Sequence, residues 1–197
     1  MFSVGELIVY RGAGVCRVEE IGPPPCSPGE RRDYYTLVPL HSRETIYVPV
    51  ESRVFMRPIL TRGEAEALID RLPEIRQAQV EGRDYRALAQ QYREYLGSRR
   101  CEDLVPLLKG LYEKGRRQSR AGKKPGKVDQ DVQRRAEALL HGELSAALEI
   151  PPEQVPEYIR RRLAPREAAQ GWGGRCHRSA KPGRGVLRGM FRISLSS

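Results

Sequence analysis

The chain has 197 residues, of which 39% are hydrophobic and 30% charged, and a formal net charge of +10. That length gives room for one or two small domains with modest cores, and no stretch approaches the roughly 18 uninterrupted apolar residues of a membrane span. The N-terminus lacks a charged segment followed by an apolar one, so a cytoplasmic protein with no membrane attachment is expected. Cys16, Cys26, Cys101 and Cys176 form no C-x-x-C pair, which argues against a zinc knuckle or a redox motif and for reduced thiols.

Apolar residues first recur with a period of two. In Leu7-Ile8-Val9-Tyr10, Val15-Cys16-Arg17-Val18, Tyr34 to Leu40 and Thr45 to Val50, β-branched and aromatic side chains alternate as a pleated, half-buried surface requires. Arg11-Gly12-Ala13-Gly14 joins the first two runs as a hairpin, its glycines supplying positive φ. Gly22-Pro23-Pro24-Pro25 with Ser27-Pro28-Gly29 cannot pair in a ladder, because proline lacks the N–H, and is expected to be a loop. About four or five short strands predict a small SH3-like or Tudor-like β-barrel over residues 1–57.

After Pro58 the period becomes helical. Thr61-Arg62-Gly63-Glu64 is a capping box, and Ala65, Leu68, Ile69 and Leu72 follow on one face until Pro73. Tyr85, Leu88, Tyr92, Tyr95 and Leu96 form a second apolar stripe ending at Gly97. Leu104, Leu107, Leu108, Leu111 and Tyr112 form a third, with Pro106 tolerable if the helix starts near Asp103. Val132 to Leu148 forms a fourth, and Val155, Ile159 and Leu163 a fifth, opened by Pro151-Pro152. The fold class predicted is therefore α+β, a barrel followed by an all-α bundle of about five helices over residues 58–163. Residues 164–197, with GWGGRCHRSAKPGRG at Gly171 to Gly185, are expected to be a disordered basic tail able to bind nucleic acid loosely or to have no role at all. Cys176 beside His177 cannot complete a tetrahedral metal site, so no metal is expected there.

Charge divides the same way. Residues 1–60 carry seven basic and seven acidic side chains, residues 61–163 carry 21 and 17, and residues 164–197 carry seven and one. A neutral β module followed by a cationic α module predicts two partners, one a protein and one a polyanion. Between the third and fourth helical stripes lies KGRRQSRAGKKPGK, with Lys114, Arg116, Arg117, Arg120, Lys123, Lys124 and Lys127, preceded by Lys109. Such a run is either a solvated helix end and loop or a phosphate-contacting patch giving salt-sensitive, sequence-tolerant affinity for nucleic acid. Arg83, Tyr85 and Arg86 set an aromatic ring between two guanidinium groups, suited to straddling phosphates and touching a base step, although Tyr85 also falls on the apolar stripe.

V-G-x-x-x-V-Y-x-x-x-G-V at Val4 to Val15, YY-x-L-x-PL at Tyr34 to Leu40, IYVPV at Ile46 to Val50, MRP-x-L at Met56 to Leu60 and GKK at Gly122 to Lys124 occur in an order and spacing that resemble the CarD/CdnL-like bacterial transcription regulators. The stretch Asp131 to Glu143, with Ala136-Glu137 and Leu139-Leu140, fits the same pattern, and the resemblance runs from about Met1 to Leu163. It implies an N-terminal domain, shared with the transcription-repair coupling factor, that binds the β subunit of RNA polymerase. It further implies a helical domain that contacts promoter DNA near the upstream edge of the bubble and modulates open-complex stability, in a monomer without cofactor or catalytic residues. The strand edge Thr45, Ile46, Tyr47, Val48 and Pro49 is where polymerase would pair by β-augmentation, although Val48 and Pro49 have an equal structural role in closing the barrel. Two departures stand out. Members of that family often carry arginine before the Val-Pro pair, where this chain has Tyr47, and many carry a tryptophan wedge early in the helical domain, where this chain offers Val80 or Tyr85.

An enzyme is not expected. His41, His141 and His177 lie far apart, and no G-x-S-x-G, P-loop or H-E-x-x-H is present. The alternative to a polymerase-bound regulator is an RNA- or ribosome-associated binding module, which a small barrel with a basic annex would also suit. A protein adaptor whose basic patch is merely solvated is the third possibility.

Overall fold

Alternating β-branched and aromatic residues build five short strands at the start of the chain, and helical stripes build the described residues that follow. The computed structural model describes residues 1–10, 12–24, 32–42, 44–80, 85–98 and 100–169, and the chain divides into two units, Met1–Leu60 and Thr61–Ser197. The first holds β1 (Leu7–Tyr10), β2 (Gly14–Gly22), β3 (Tyr34–Pro39), β4 (Ile46–Pro49) and β5 (Met56–Pro58) in one antiparallel sheet of order β4-β3-β2-β1-β5. With five helices following among the described residues, the fold is α+β. The hairpin between β1 and β2 turns on Gly12 and Gly14, both at φ +79°, where a side chain would strain the backbone. Glu19 sits in a register irregularity between Val18 and Glu20, which lets the nine-residue β2 bend while still pairing with β3.

One face of this sheet carries the core of Ile8, Cys16, Val18, Tyr35, Leu37 and Val48, with Ile46, Val50 and Met56 packed against it. Burial pushes the Cys16 thiol up to about 11, so it is an unreactive apolar filler. The Phe2 ring meets Tyr35 edge-on at 5.8 Å, and the Phe2 N–H donates to the Tyr35 hydroxyl at 3.1 Å. The boundary expected after residue 57 falls inside β5. Met56 and Pro58 pair with Tyr10 and Ile8, which keeps β5 in the first unit, and an edge strand is where proline is tolerated.

The second unit begins at the capping box. The Thr61 hydroxyl accepts from the Glu64 N–H at 3.3 Å while the Glu64 carboxylate accepts from the Thr61 N–H at 2.8 Å, starting α1 (Arg62–Arg71). There follow α2 (Tyr85–Leu96), a 3₁₀ turn at Cys101–Asp103, α3 (Leu104–Arg120), α4 (Lys127–Leu148), a second 3₁₀ turn at Pro152–Gln154 and α5 (Val155–Ala169). The core of this unit is Ala65, Leu68, Ile69, Leu107, Leu108, Leu140, Leu144, Leu148, Val155 and Ile159. Arg162 on α5 clamps Asp70 of α1 through two bonds of 2.9 and 3.1 Å and reaches Glu66 at 3.0 Å, a planar fork matched to carboxylates.

Helix ends depart from the expected ones at three places. α3 runs two turns past its apolar stripe and α4 starts five residues before Val132, so within the basic run the helix end is long and the loop is short. α5 continues to Ala169, into the segment expected to be a disordered tail. The remainder of that tail, with Trp172, Cys176 and His177, lies outside the described residues.

Between α1 and α2 the chain crosses α3 closely. The Ala78 N–H donates to the Pro106 carbonyl at 2.9 Å, and the Gln91 amide holds the Gln79 carbonyl at 3.0 Å. Gly110 makes the crossing possible, since a Cβ there would lie 2.4 Å from the Ala78 carbonyl oxygen. Lys109 is only 5% exposed, and its ammonium donates to the Leu72 and Ile75 carbonyls, each at 2.6 Å, satisfying the end of α1. Burial pulls its pKa down.

Gly110→Ala is expected to destabilise the helical unit by about 2 kcal/mol even though alanine is the better helix former, because the clashing atom is backbone. Chemical denaturation of the full chain checks this, and a stability equal to the parent's would show that the crossing strand moves freely.

His141 of α4 gives a pH dependence of known sign. Burial pushes its imidazole down to about 4, so the fold holds it neutral while the unfolded chain takes up a proton below about pH 6.5. Stability contributed by this residue is therefore intact above that pH and declines as pH falls toward 4. Between about pH 7.5 and about pH 5 the loss amounts to about 2 kcal/mol. Glu137, one turn earlier, has its carboxyl raised by burial and works in the opposite direction. His141→Leu should therefore flatten the acid decline in thermal melts of the full chain, and an unchanged pH profile would assign the decline to other groups.

Candidate functional site

Two surfaces hold the residues singled out by the sequence, one in each unit. In the first, β4 is an edge of the sheet, pairing with β3 through Tyr34↔Pro49, Tyr35↔Val48, Thr36↔Tyr47 and Leu37↔Ile46. The Val50 N–H donates to the Asp33 carbonyl at 2.9 Å. Since N–H groups alternate along a strand, Ile46, Val48 and Val50 point theirs toward β3, while Tyr47 directs its own to the open edge and Pro49 has none to direct. A strand added here therefore finds a donor at Tyr47 and meets a stop at Pro49. Side chains alternate too: Val48 is 3% exposed and belongs to the core, whereas Tyr47 is 38% exposed on the opposite face, and Thr45 is exposed just ahead of the strand.

In the second unit, the cationic run is organised by the end of α3. Gly122, at φ +70°, closes that helix: its N–H donates to the Ser119 carbonyl at 3.1 Å, and the Lys123 N–H reaches the Gln118 carbonyl at 2.8 Å. This double bond pattern is a Schellman cap, and it fixes the path of the short connection to α4. The signal was present in the sequence as a glycine following a basic last turn.

The cationic residues do not act alike. Lys114 is half-buried and pairs with Asp129 at 2.7 Å, and Asp129 also accepts from the Tyr92 hydroxyl at 2.6 Å. Tyr92 is buried, and that burial, then the bond to Asp129 and its charge, raise the phenol pKa. A bridge across α2, α3 and α4 thus consumes Lys114, and no sequence pattern announced it because its members lie up to 37 residues apart. Arg116 leans toward Glu113 at 3.6 Å. Lys109, counted with the run in the sequence, is buried beneath α1. What faces solvent is Arg117, Arg120, Lys123, Lys124 and Lys127, gathered at the junction of α3 and α4. Backbone-directed cations in such a cluster suit phosphate contact.

Arg86 is exposed in the first turn of α2, a different element. Arg83 lies outside the described residues, and of Tyr85 only the backbone is described, as the first residue of α2. Val80, the other residue in the region of the wedge tryptophan, is 1% exposed and packs near Gly110, so it cannot enter a DNA groove in this fold. Among the described residues no helix is long and apolar enough to cross a membrane.

Residues 2–60 match the model of the CarD-like/TRCF RID domain. No curated protein matches the chain. The matched span coincides with the five-stranded unit, so the chain carries at its N-terminus a CarD-like/TRCF RID domain, a module that interacts with the β subunit of RNA polymerase and that links the chain to transcription.

Proposed function

We propose that the protein is a transcription regulator that docks on the RNA polymerase β subunit through the edge of β4 and contacts promoter DNA through its helical unit near the upstream edge of the bubble, modulating open-complex stability. It does so without catalysing a reaction, as a cytoplasmic bacterial monomer. The observation that carries this reading is the RID domain over residues 2–60. Two features support the finer assignments. An edge strand with one outward donor suits β-augmentation, in which main-chain bonds supply affinity and alternate side chains supply specificity. The exposed cations at the α3–α4 junction suit phosphate contacts, whose affinity depends on salt.

Tyr47→Pro removes the outward N–H while leaving the bonds to β3 in place, and Tyr47→Thr removes only the ring. Retention of polymerase core on the immobilised full chain is expected to drop by about tenfold with Tyr47→Pro and less with Tyr47→Thr. Equal retention by all three proteins would take β4 out of the contact, and retention that depended on RNA would favour an RNA-associated module instead.

For the second surface, Lys123→Ala with Lys124→Ala should weaken duplex DNA binding across sequences and lower the slope of log K against log salt by about 2. Titrations at several salt concentrations measure it, and an unaltered slope would remove both lysines from the DNA contact.

A further inference from the structure

α3 contains two interior glycines, and only one of them is explained by packing. Gly110 has Ala78 across it. Gly115 has no such neighbour: a Cβ there would come no closer than 4.0 Å to the Pro125 side chain, an ordinary contact. Glycine in a helix interior costs about 1 kcal/mol relative to alanine, so an unforced one marks a place where a side chain would fill useful space. The space in question is a cavity of about 390 Å³ between the end of α3 and the start of α4. It falls in the volume range of small-ligand sites.

The lining states what fits. Leu111, Tyr112 and Pro125 supply apolar and aromatic wall, while Arg116 and Arg120 stand on it as cations. Gln118 also lines the cavity, and its side-chain oxygen, itself buried, has no hydrogen-bond partner among the described residues. A buried acceptor is costly until something donates to it. Asp129 also lines the cavity, but its charge is taken up by Lys114 and the Tyr92 hydroxyl, so it does not repel an anion. Lys123 and Lys124, in the connection between the two helices, add positive charge to the same region. A flat ring bearing N–H groups and joined to phosphates is what this combination accepts.

We infer that the cavity between α3 and α4 receives one unstacked base of a single DNA strand, stacked against Tyr112, hydrogen-bonded to Gln118 and held by its phosphates on Arg116 and Arg120. Base stacking on an aromatic side chain, with cations along the backbone, is the general mode of single-strand capture. The inference rests on the proposed DNA-contacting role of the helical unit and adds to it a preference for melted over paired DNA.

The test uses the full chain, a fluorescein-labelled single-stranded oligonucleotide and the matching duplex. Gly115→Leu fills the cavity without removing a charge, and Gly115→Ala, which should fold at least as well as the parent, fills it in part. Single-strand affinity is expected to fall by about tenfold for Gly115→Leu and by less for Gly115→Ala, with duplex affinity within about twofold of the parent in both. Independently of any variant, a strand carrying 5-iodouracil should photo-crosslink to Tyr112 of the parent chain, identified by peptide mass mapping. Equal losses on both DNAs, or crosslinks only outside α3 and α4, would overturn the inference and leave duplex contact standing. Failure of the parent chain to bind either DNA would overturn the DNA-contacting reading itself.

Discussion

The carboxylate of Asp129 sets the geometry on which the cationic surface depends. It lies in the first turn of α4, where the helix dipole favours a negative charge, and from there it binds the Lys114 ammonium of α3 and the Tyr92 hydroxyl of α2. A half-buried pair of this kind gains little net stability over an apolar substitute, but it tolerates few alternative arrangements, because leaving either charge without the other is costly. Its effect is therefore on spacing. The ion pair ties α3 to α4 beside their junction, the Schellman cap turns the chain from one helix toward the next, and Arg116 and Arg120 line a cavity between the two helices.

The two units solve separate physical problems. In the first, seven acidic and seven basic residues leave residues 1–60 with no net charge, so long-range attraction contributes little and shape and main-chain hydrogen bonding can carry recognition. The edge of β4, the docking edge proposed above, would provide this, and Pro49 limits how far a strand can pair along it, which also guards against association between copies of the chain. In the second, the excess of cations gives long-range attraction that needs no exact fit. Specific contact then depends on the few groups whose positions are fixed by packing.

Much of the fold could be read directly from sequence because the signals were local. The capping box at Thr61 and Glu64 forms as its spacing requires, the positive-φ glycines turn the first hairpin, and the stripe Val155, Ile159 and Leu163 is buried on α5. Misreadings arose where polar residues obey tertiary demands. Lys109 has the appearance of one more surface cation, yet the unpaired carbonyls at the end of α1 draw it inside. Lys114 looked available for phosphate and is bound to Asp129. The basic run reads as a helix end and a loop, and the helix takes the larger share, because arginine and lysine are good helix formers and Gly122 marks the stop. The cavity left no trace in the sequence beyond the glycine at position 115.

Those two glycines, five residues apart on one helix, show why a residue type alone does not define a site. At Gly110 the missing side chain is filled by the carbonyl of Ala78, and the result is a tight crossing that buries Val80 and takes it away from the surface. At Gly115 a side chain would meet only Pro125 among the described residues, at ordinary contact distance, beside an opening lined by Tyr112 and Gln118. The first glycine closes off Val80, one of the two positions that the sequence resemblance offered for a wedge. The second opens another place, one helical turn and a half further along α3, where an aromatic ring can hold a base that has left its stack. If the helical unit meets DNA as proposed, capture of a displaced base would favour the melted state without prising a step apart, since that interaction is made only with open DNA.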